Sequence, residues 1–256
     1  MSEQNMTPEG FFAELKRRFL ALLEEECILD EEVEIGTRSL SAREAIGDTR
    51  RKDFPIITGK DVMVEARCMG SVGQAFTDAP TAFAGSLKEI CQLDLSSSSH
   101  NRGLFIAALN AVMKHLGRVE CTVHCRNEGP EKCSYDVVDF IKENYGSPKI
   151  ALIGYQPAML ERLSQNFEVR NVDLDENNIG HERYGIMVED GRDLSVTQAL
   201  CDWAELILCT GSTICNGTIV NFLKFEGKIL FFGTTLAGAA ALMNMPRLCF
   251  ADRYQQ

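Results

Sequence analysis

Three short turns in the second half of the chain are rich in glycine, hydroxyl and amide groups. They are Gly154-Tyr155-Gln156-Pro157, Thr210-Gly211-Ser212-Thr213 and Gly233-Thr234-Thr235. Each follows an apolar run and precedes a helical segment, so each offers backbone N–H groups at a helix start. Such turns suit a carboxylate, a phosphate or a polar heteroatom ring. One such turn could be an ordinary turn or helix cap, but three together favour a ligand-binding site.

The turns lie in a segment, from about residue 148 onward, where short apolar runs alternate with helical patterns. Strands are predicted over 149–154, 167–175, 205–211, 228–233 and 247–251, and helices over about 157–166, 194–203, from 216, and over 236–243. This alternation predicts a mostly parallel sheet covered on both faces, a Rossmann-like α/β fold. Ligands of such sheets bind beyond the carboxyl ends of the strands, where the three turns lie.

The first half of the chain predicts a smaller α+β domain. Apolar residues between Phe11 and Leu23 mark an amphipathic helix. Strands are predicted around 31–40 and 61–77, the latter folded back at Met69–Ser71, and helices over about 82–92 and 101–116. Because the pattern changes near Gly146-Ser147-Pro148, we place the domains at 1–146 and 147–256.

A dinucleotide cofactor requires a glycine-rich turn between the first parallel strand and its helix. Here that turn reads GYQPAM, with one glycine, a tyrosine and a proline. Asp173 follows the second strand, where an acid could bind a ribose or an amine, or cap a helix. Because the glycines that allow close approach to a pyrophosphate are missing, we predict that NAD and NADP do not bind.

The stretch CTVHCRNEGPEKC brings Cys121, His124, Cys125 and Cys133 close together in sequence. Thiolate and imidazole groups bind zinc and softer metals. However, the C-x3-C-x7-C spacing matches no standard zinc site, and buried free cysteine is the common alternative. We therefore predict no shared metal site for Cys121, Cys125 and Cys133.

Composition limits the class of protein and its partners. The chain of 256 residues is 45% hydrophobic and 25% charged, as in a globular protein. No apolar run approaches the ~20 residues that cross a bilayer, and the N-terminus lacks a signal-peptide pattern, so a cytoplasmic location without membrane partners is expected. The net charge of −11 argues against nucleic-acid binding. The oligomeric state is left open, a homo-oligomer included.

Several motifs together resemble the heavy-metal chelation domain family over nearly the whole chain. The motifs are IGYQPAMLERL, DLDENNIG, CTGSTICNGTI, FFGTTLAGAAALM and GLFIAALNAV. Members of that family carry an enolase-N-terminal-like domain followed by a Rossmann-like domain. The resemblance implies the same architecture here, a pocket between the two domains, and a role in binding or handling heavy metals, directly or through a chelator.

The resemblance also implies which residues contact a ligand. Asn216 is expected to cap the helix that follows it, and Gly211 to let a ligand approach the backbone, so that a valine there would block binding without unfolding the chain. Together with Asp173, the predicted ligand-binding residues are Gly154, Tyr155, Gln156, Pro157, Thr210, Gly211, Ser212, Thr213, Asn216, Thr218, Gly233, Thr234, Thr235, Thr77, Asp78 and Asn110. Cys209 and Cys215 flank the central turn and could bind a metal or face the core.

Three functions are compatible with these residues. The first is a protein that binds a metal ion or a metal–chelator complex in the cleft. The second is an enzyme acting on a small polar metabolite, including one that makes or modifies a chelator, and the third is a non-catalytic binding or regulatory module. Because serine, threonine and glycine dominate the turns, an organic ligand is favoured over a bare ion. The candidate titratable groups are Asp78, Asp173, Asp175, Tyr155 and His181, and none is assigned as a general base.

Overall fold

The computed structural model describes residues 7–36, 43–44, 47–49, 51, 53–54 and 62–254. These residues form a four-stranded antiparallel sheet and a seven-stranded, mostly parallel sheet. Within the same ranges, no helix has both the length and the apolar character needed to cross a membrane. The predicted fold class, a Rossmann-like sheet preceded by a smaller α+β unit, is confirmed.

The antiparallel sheet has the strand order β3-β2-β1-β4. Its strands are β1 (Glu32–Ile35), β2 (Val62–Cys68), β3 (Ser71–Thr77) and β4 (Phe83–Ser86). The predicted hairpin at 69–71 is confirmed, because Cys68 pairs with Ser71. Met69 and Gly70 both have positive φ, as a tight two-residue hairpin turn requires.

The predicted helix over 82–92 is only half correct. Residues Phe83–Ser86 form β4 and pair with β1, and helix α2 (Leu87–Gln92) begins after them. Ser86 and Glu89 form a reciprocal capping box at that start, which fixes the boundary between strand and helix.

Two long helices pack on this sheet and carry most of its core. Helix α1 (Pro8–Glu25) buries one apolar face, as predicted. Helix α3 (Ser99–His115) is buried from Arg102 through Met113, so it has no solvent-facing side along most of its length. It contacts β2 and β3 on one side and helices of the parallel sheet on the other. Helix α3 therefore joins the two sheets into one continuous hydrophobic core.

The larger sheet has the strand order β11-β10-β9-β5-β6-β8-β7, and only β7 runs antiparallel to its neighbour. Its strands are β5 (Ile150–Ile153), β6 (Val169–Asp173), β7 (Glu182–Arg183), β8 (Ile186–Asp190), β9 (Leu206–Thr210), β10 (Ile229–Phe232) and β11 (Arg247–Leu248). The chain leaves β5 toward β6 on one side and later returns to β9 on the other. The order thus reverses between β5 and β9, where Rossmann-like sheets bind ligands.

The helices around this sheet are α4 (Gly129–Tyr145), α5 (Pro157–Ser164), α6 (Leu194–Trp203), α7 (Thr213–Asn216) and α8 (Ala237–Met243). The sequence predicted α5, α6 and α8 but not α4, which packs against α5 and buries Val137, Val138 and Ile141. These side chains share a core with Leu152 of β5. The division at 146/147 remains a prediction, although α4 packs with the residues that follow it.

Two of the elements predicted for the second half of the chain are wrong. The helix expected from residue 216 is instead the one-turn helix α7, which ends at Asn216. Gly217 follows in the left-handed region (φ 84), and two short 3-10 turns continue the chain. The last strand covers only Arg247–Leu248 of the predicted 247–251, and residues Ala251–Tyr254 form a further 3-10 turn.

Candidate functional site

A cavity of about 640 Å³ opens at the carboxyl ends of β5, β9 and β10. Gly154, Gly211 and Gly233, which follow these three adjacent strands, all line its wall. The end of β3 and the segment before α4 contribute the opposite side. The cavity therefore lies between the residues of the two sheets.

Most of the predicted ligand-binding residues lie on this cavity wall. Those on the wall are Thr77, Asp78, Gly154, Tyr155, Gln156, Asp173, Thr210, Gly211, Ser212, Thr213, Asn216, Thr218, Gly233, Thr234 and Thr235. Two predicted residues are not on the wall. Pro157 is the buried first residue of α5, and Asn110 lies fully buried on α3.

The first turn uses its hydrogen-bonding groups internally. The Tyr155 N–H donates to the Asp173 carboxylate at 2.6 Å, and the Gln156 side chain accepts from the Met159 N–H. In a dinucleotide-binding turn, N–H groups at this position face the pyrophosphate. Here the N–H groups of Tyr155 and Met159 already donate to side chains. This is a second physical reason, besides the missing glycines, to expect no dinucleotide.

Asp173 has a structural role at this turn. Besides Tyr155, its carboxylate accepts from the Asp175 N–H at 2.8 Å and the Asn178 side chain at 3.2 Å. These bonds join the end of β6 to the β5–α5 turn and to the following loop. With three donors already bound, Asp173 is poorly placed to act as a base.

The central turn is built from its own hydroxyl groups. The Thr213 hydroxyl donates to the Thr210 carbonyl at 2.8 Å, and the Ser212 N–H donates to the Thr210 hydroxyl at 3.4 Å. Asn216 ends α7, and its side-chain oxygen accepts from the Thr218 N–H at 3.0 Å and hydroxyl at 2.7 Å. Asn216 thus stabilises the 3-10 turn beyond Gly217, not the α-helix that the sequence predicted there.

Gly211 is constrained by packing and not by its backbone dihedral. Its φ lies outside the left-handed region, and a Cβ there would lie 2.9 Å from Cβ and N of Leu236 and 3.2 Å from the Phe232 carbonyl oxygen. The residue is buried. The expectation that valine at 211 would leave the fold intact is therefore wrong, because the side chain would collide with backbone behind the turn.

Asn110 holds the third turn from behind. Its side-chain N–H₂ donates to the carbonyls of Gln74 and Thr235, both at 2.9 Å, and of Thr234 at 3.3 Å. Its oxygen accepts from the Gly238 N–H at 2.7 Å. The residue thus connects β3, the third turn and α8 without reaching the cavity.

Two threonines of the third turn differ in their partners. The Thr235 hydroxyl accepts from the Phe76 N–H at 3.1 Å, which fixes the turn to β3. Thr234 is 2% exposed, and among the described residues its hydroxyl oxygen has no hydrogen-bond partner. A buried hydroxyl without a partner is uncommon, and this one belongs to a residue of the cavity wall.

A buried arginine lies directly behind the central turn. Arg102 of α3 is 9% exposed, and its guanidinium donates to the carbonyls of Cys215 at 2.7 Å and Leu95 at 2.9 Å. No carboxylate of the described residues lies within ion-pair distance of it. Burial lowers the pKa of Arg102, but a guanidinium stays protonated in proteins. The central turn therefore has a positive charge behind it.

The opposite wall carries a histidine that the sequence did not assign to the pocket. His124 is half-buried, packs edge-to-face on Phe76, and lies with Nδ1 2.6 Å from the Cys125 carbonyl. Burial lowers the pKa of His124, so the ring is neutral near pH 7. Because Nδ1 must donate to a carbonyl, Nε2 is the acceptor. His181, the predicted candidate, is exposed and away from the cavity wall.

Arg51, Asp53 and Phe54, from the first half of the chain, lie near the mouth of the cavity. Phe54 lines the wall, and the Asp53 carboxylate accepts from the hydroxyls of Tyr155 and Tyr184. Arg51 pairs with Glu131 of α4 and Glu161 of α5. Tyr155, a predicted ligand contact and titratable candidate, thus has its hydroxyl engaged with Asp53.

Four cysteines also line the cavity, namely Cys125, Cys133, Cys215 and Cys249. Cys209 and Cys215, which flank the central turn, are fully buried, and burial raises the pKa of both thiols. In the part of the chain that the structure describes, no three His, Cys, Asp or Glu side chains are arranged to hold a metal ion. Besides charged side chains and His124, the wall thus carries neutral hydroxyls, apolar side chains and thiols.

Comparison with known proteins supports the fold. No family model matches the chain, and no curated protein matches it. Two solved structures of the DUF364 family, both described as proteins of unknown function, are similar. The one from Pyrococcus horikoshii is 16% identical, covers 88% of this chain and 79% of its own, and has a TM-score of 0.50. The one from Desulfitobacterium hafniense DCB-2 is 13% identical, covers 71% and 72%, and has a TM-score of 0.46.

Proposed function

We propose that this protein binds a small polar or anionic organic ligand in the cavity between its two sheets. The observation that carries the proposal is the convergence of three turns, rich in glycine, hydroxyl and amide groups, on one cavity of about 640 Å³. This volume lies within the range of small-molecule sites. The cavity also opens at the point where the strand order reverses, the usual ligand site of such sheets.

The charges near the cavity limit the kind of ligand. Arg102 places a positive charge behind the central turn, which favours a carboxylate or another small anionic group there. Asp78, Asp173 and Asp175 also line the wall and oppose a strongly charged anion. Arg192, a cation of the same wall, is paired with Glu176 and Asp190. We infer a ligand with a single anionic or highly polar end, directed at residues 210–218, and a less polar body.

A role in heavy-metal handling is the finer part of the proposal. It rests on the resemblance of the sequence motifs to the heavy-metal chelation domain family. Because hydroxyls and backbone groups dominate the three turns, we propose that a metal enters this cavity as a complex with the organic ligand and not as a bare ion.

Native mass spectrometry combined with elemental analysis of freshly purified protein tests this proposal. We expect a non-covalent adduct with the mass of a small organic molecule, and metal only in samples that contain the adduct. Stoichiometric metal without an organic adduct would contradict the proposal. So would protein that carries no adduct and shows no thermal shift with citrate, alone or with Zn²⁺, or with small phosphates.

The Ser212→Ala variant tests the position of the ligand. Ser212 lines the cavity and makes only a long 3.4 Å contact to the Thr210 hydroxyl, so its loss should leave the fold intact. If the ligand accepts or donates one neutral hydrogen bond here, binding should weaken by about 0.5–1.5 kcal/mol. The adduct, or citrate if none is found, is the probe, and Ser164→Ala, outside the cavity wall, is the matched control. Equal affinity in both variants would place the ligand elsewhere.

The second candidate is an enzyme acting on a small polar metabolite. It is favoured by His124, a neutral imidazole on the cavity wall whose Nε2 is the acceptor nitrogen, because Nδ1 faces the Cys125 carbonyl. Such a group suits general-base catalysis near neutral pH. Incubation of an identified adduct with the protein and with His124→Gln would distinguish the two. Conversion of the adduct by the wild type but not by His124→Gln indicates an enzyme. An adduct that stays unchanged with the wild type indicates a binding protein.

A further inference from the structure

Two exposed leucines form an apolar rim where the cavity opens to solvent. Among the described residues, five large hydrophobic side chains are exposed, and two of these, Leu174 and Leu194, also line the cavity. Leu174 is 42% exposed and Leu194 is 61% exposed. A single exposed leucine needs no explanation, but exposed apolar groups that share one cavity wall mark a surface that a ligand covers.

The two leucines of the rim flank one junction in the chain. Leu174 directly follows β6, and Leu194 is the first residue of α6. The Gly191 N–H donates to the Asp173 carbonyl at 2.9 Å, which joins the end of β6 to the loop before α6. A Cβ at Gly191 would lie 3.4 Å from Cδ2 of Leu174. The side chain of Leu174 therefore packs on the loop that leads to Leu194.

An apolar path joins the central turn to this rim. The central turn follows β9, and the next two strands in the sheet are β5 and then β6. Ile153 ends β5 and is paired in register with Val172 of β6. Both side chains line the cavity. From the central turn, Ile153, Val172 and the rim thus follow one another along the carboxyl edge of the sheet.

The sheet geometry sets the length of a ligand that spans this path. Neighbouring strands lie about 4.8 Å apart, so the ends of β9 and β6 are separated by about 10 Å. With carbon–carbon bonds of about 1.5 Å, an extended chain of about eight carbons covers this distance.

The charges at the two ends of the path are different. Behind the central turn, the guanidinium of Arg102 has no carboxylate of the described residues within ion-pair distance. Beside the rim, Arg192 is already paired with two acids, and Asp175 adds a negative charge to the wall. A carboxylate is therefore favoured at the central turn and disfavoured at the rim.

We propose that the ligand is an amphiphilic carboxylate with an unbranched apolar chain. Its charged end lies at residues 210–218, and its chain runs along Ile153 and Val172 to Leu174 and Leu194. Carbons beyond about the eighth leave the cavity at the rim. This inference rests on the proposed function and adds to it the chemical class and the position of the less polar part of the ligand.

Isothermal titration calorimetry with butanoate, hexanoate, octanoate and decanoate tests the proposal. We expect Kd to fall by about two- to fourfold for each added methylene up to octanoate, and by little from octanoate to decanoate. Octan-1-ol should bind about tenfold more weakly than octanoate, because hydrogen bonds to a charged group are lost. Equal Kd values for butanoate and octanoate would overturn the proposal, as would equal values for octanoate and octan-1-ol.

Leu174→Ser and Leu194→Ser test the position of the chain. Each should weaken octanoate binding by about three- to tenfold and leave butanoate binding nearly unchanged, because the shorter chain does not reach the rim. Met187→Ser is the matched control, because Met187 is 52% exposed on β8 but does not line the cavity. It should bind octanoate as the wild type does. Ser212→Ala should weaken butanoate and octanoate binding by the same factor.

The possible failures separate this inference from the proposed function. If native mass spectrometry finds a polar adduct without an apolar chain and no carboxylate of the series binds, the inference fails and the proposed function stands. If the protein holds neither an adduct nor any carboxylate, both fail. If the two leucine variants change the oligomeric state in size-exclusion chromatography but not the chain-length series, the rim is a contact between copies of the chain, and the inference fails.

Discussion

At the scale of single residues, Gly211 lines the cavity, but packing against the backbone behind the turn is what restricts this position to glycine. A Cβ at this position would lie 2.9 Å from the Leu236 backbone nitrogen, and backbone atoms cannot move aside as a flexible side chain could. We expect Gly211→Ala to lower the free energy of unfolding by about 1–3 kcal/mol, and Gly211→Val by more. Ser212→Ala, one residue away, should change it by less than about 0.5 kcal/mol. Urea denaturation of the three variants measures this; a Gly211→Ala protein as stable as the wild type would contradict it.

His124 predicts how stability depends on pH. Burial places the pKa of His124 in the folded protein below its unfolded value of about 6.5. Between these two values the unfolded chain binds more protons, so the free energy of unfolding falls as the pH decreases. We expect His124→Gln to show a smaller loss of stability than the wild type between about pH 7.5 and about pH 5. Urea denaturation at both pH values measures the difference.

The control for this experiment is His181→Gln, which changes an exposed histidine away from the cavity. It should lose stability with falling pH as the wild type does. If His124→Gln and the wild type show the same pH dependence, the folded protein protonates His124 as readily as the unfolded chain does. Other groups then cause the loss of stability at low pH.

At the scale of elements, helix α3 holds the cavity turns from behind through Asn110. Replacing this fully buried residue by alanine would leave the Gly238 N–H without its partner and remove a donor from the carbonyls of Gln74 and Thr235. An unsatisfied buried group costs about 1–3 kcal/mol, so we expect Asn110→Ala to destabilise the fold by about 2–5 kcal/mol. Thermal and urea unfolding measure this. Asn101→Ala, which removes one exposed bond to the Asp94 carbonyl, should cost less than about 1 kcal/mol.

The elements that the sequence predicted are those with strong local signals. The strands β5, β9 and β10 are nearly continuous apolar runs, and helix α5 begins with a proline at its first position. The sequence analysis missed β4, β7 and β8, which are short or only partly buried. These strands form by pairing with neighbouring strands, which the local sequence does not show. Helix α4 could have been found, because Val137, Val138 and Ile141 follow a helical period.

The candidate site was predicted where it depends on strand ends and missed where it depends on tertiary packing. Turns at adjacent carboxyl ends must meet in a parallel sheet, so Gly154, Gly211 and Gly233 could be brought together from sequence alone. His124 and Cys133 lie in one short stretch, but Cys249 comes from the far end of the chain, and no local pattern places all three on one wall of the cavity. The exception, Asn110, was predicted near the site, but its bonds show that it supports the third turn.

At the scale of the whole molecule, the continuous core predicts cooperative unfolding. Proteins with two domains often unfold in separate steps. Here, however, one hydrophobic cluster includes Ile35 of the antiparallel sheet, Phe105 of α3 and Ile207 of the parallel sheet. Disruption of either sheet should therefore remove support from the other through α3.

The single tryptophan, Trp203 on α6, reports on the parallel-sheet side. We expect Trp203 fluorescence and far-ultraviolet circular dichroism to show the same urea midpoint in the wild type. Ile35→Ala should lower the free energy of unfolding by about 2–5 kcal/mol and shift both midpoints equally, although residue 35 lies in the other sheet. Ile186→Ala, a partly buried residue of the parallel sheet, serves as the comparison and should also move both signals together. If Ile35→Ala shifted the circular dichroism transition but left the Trp203 transition in place, the two sheets would unfold independently, and α3 would not couple them.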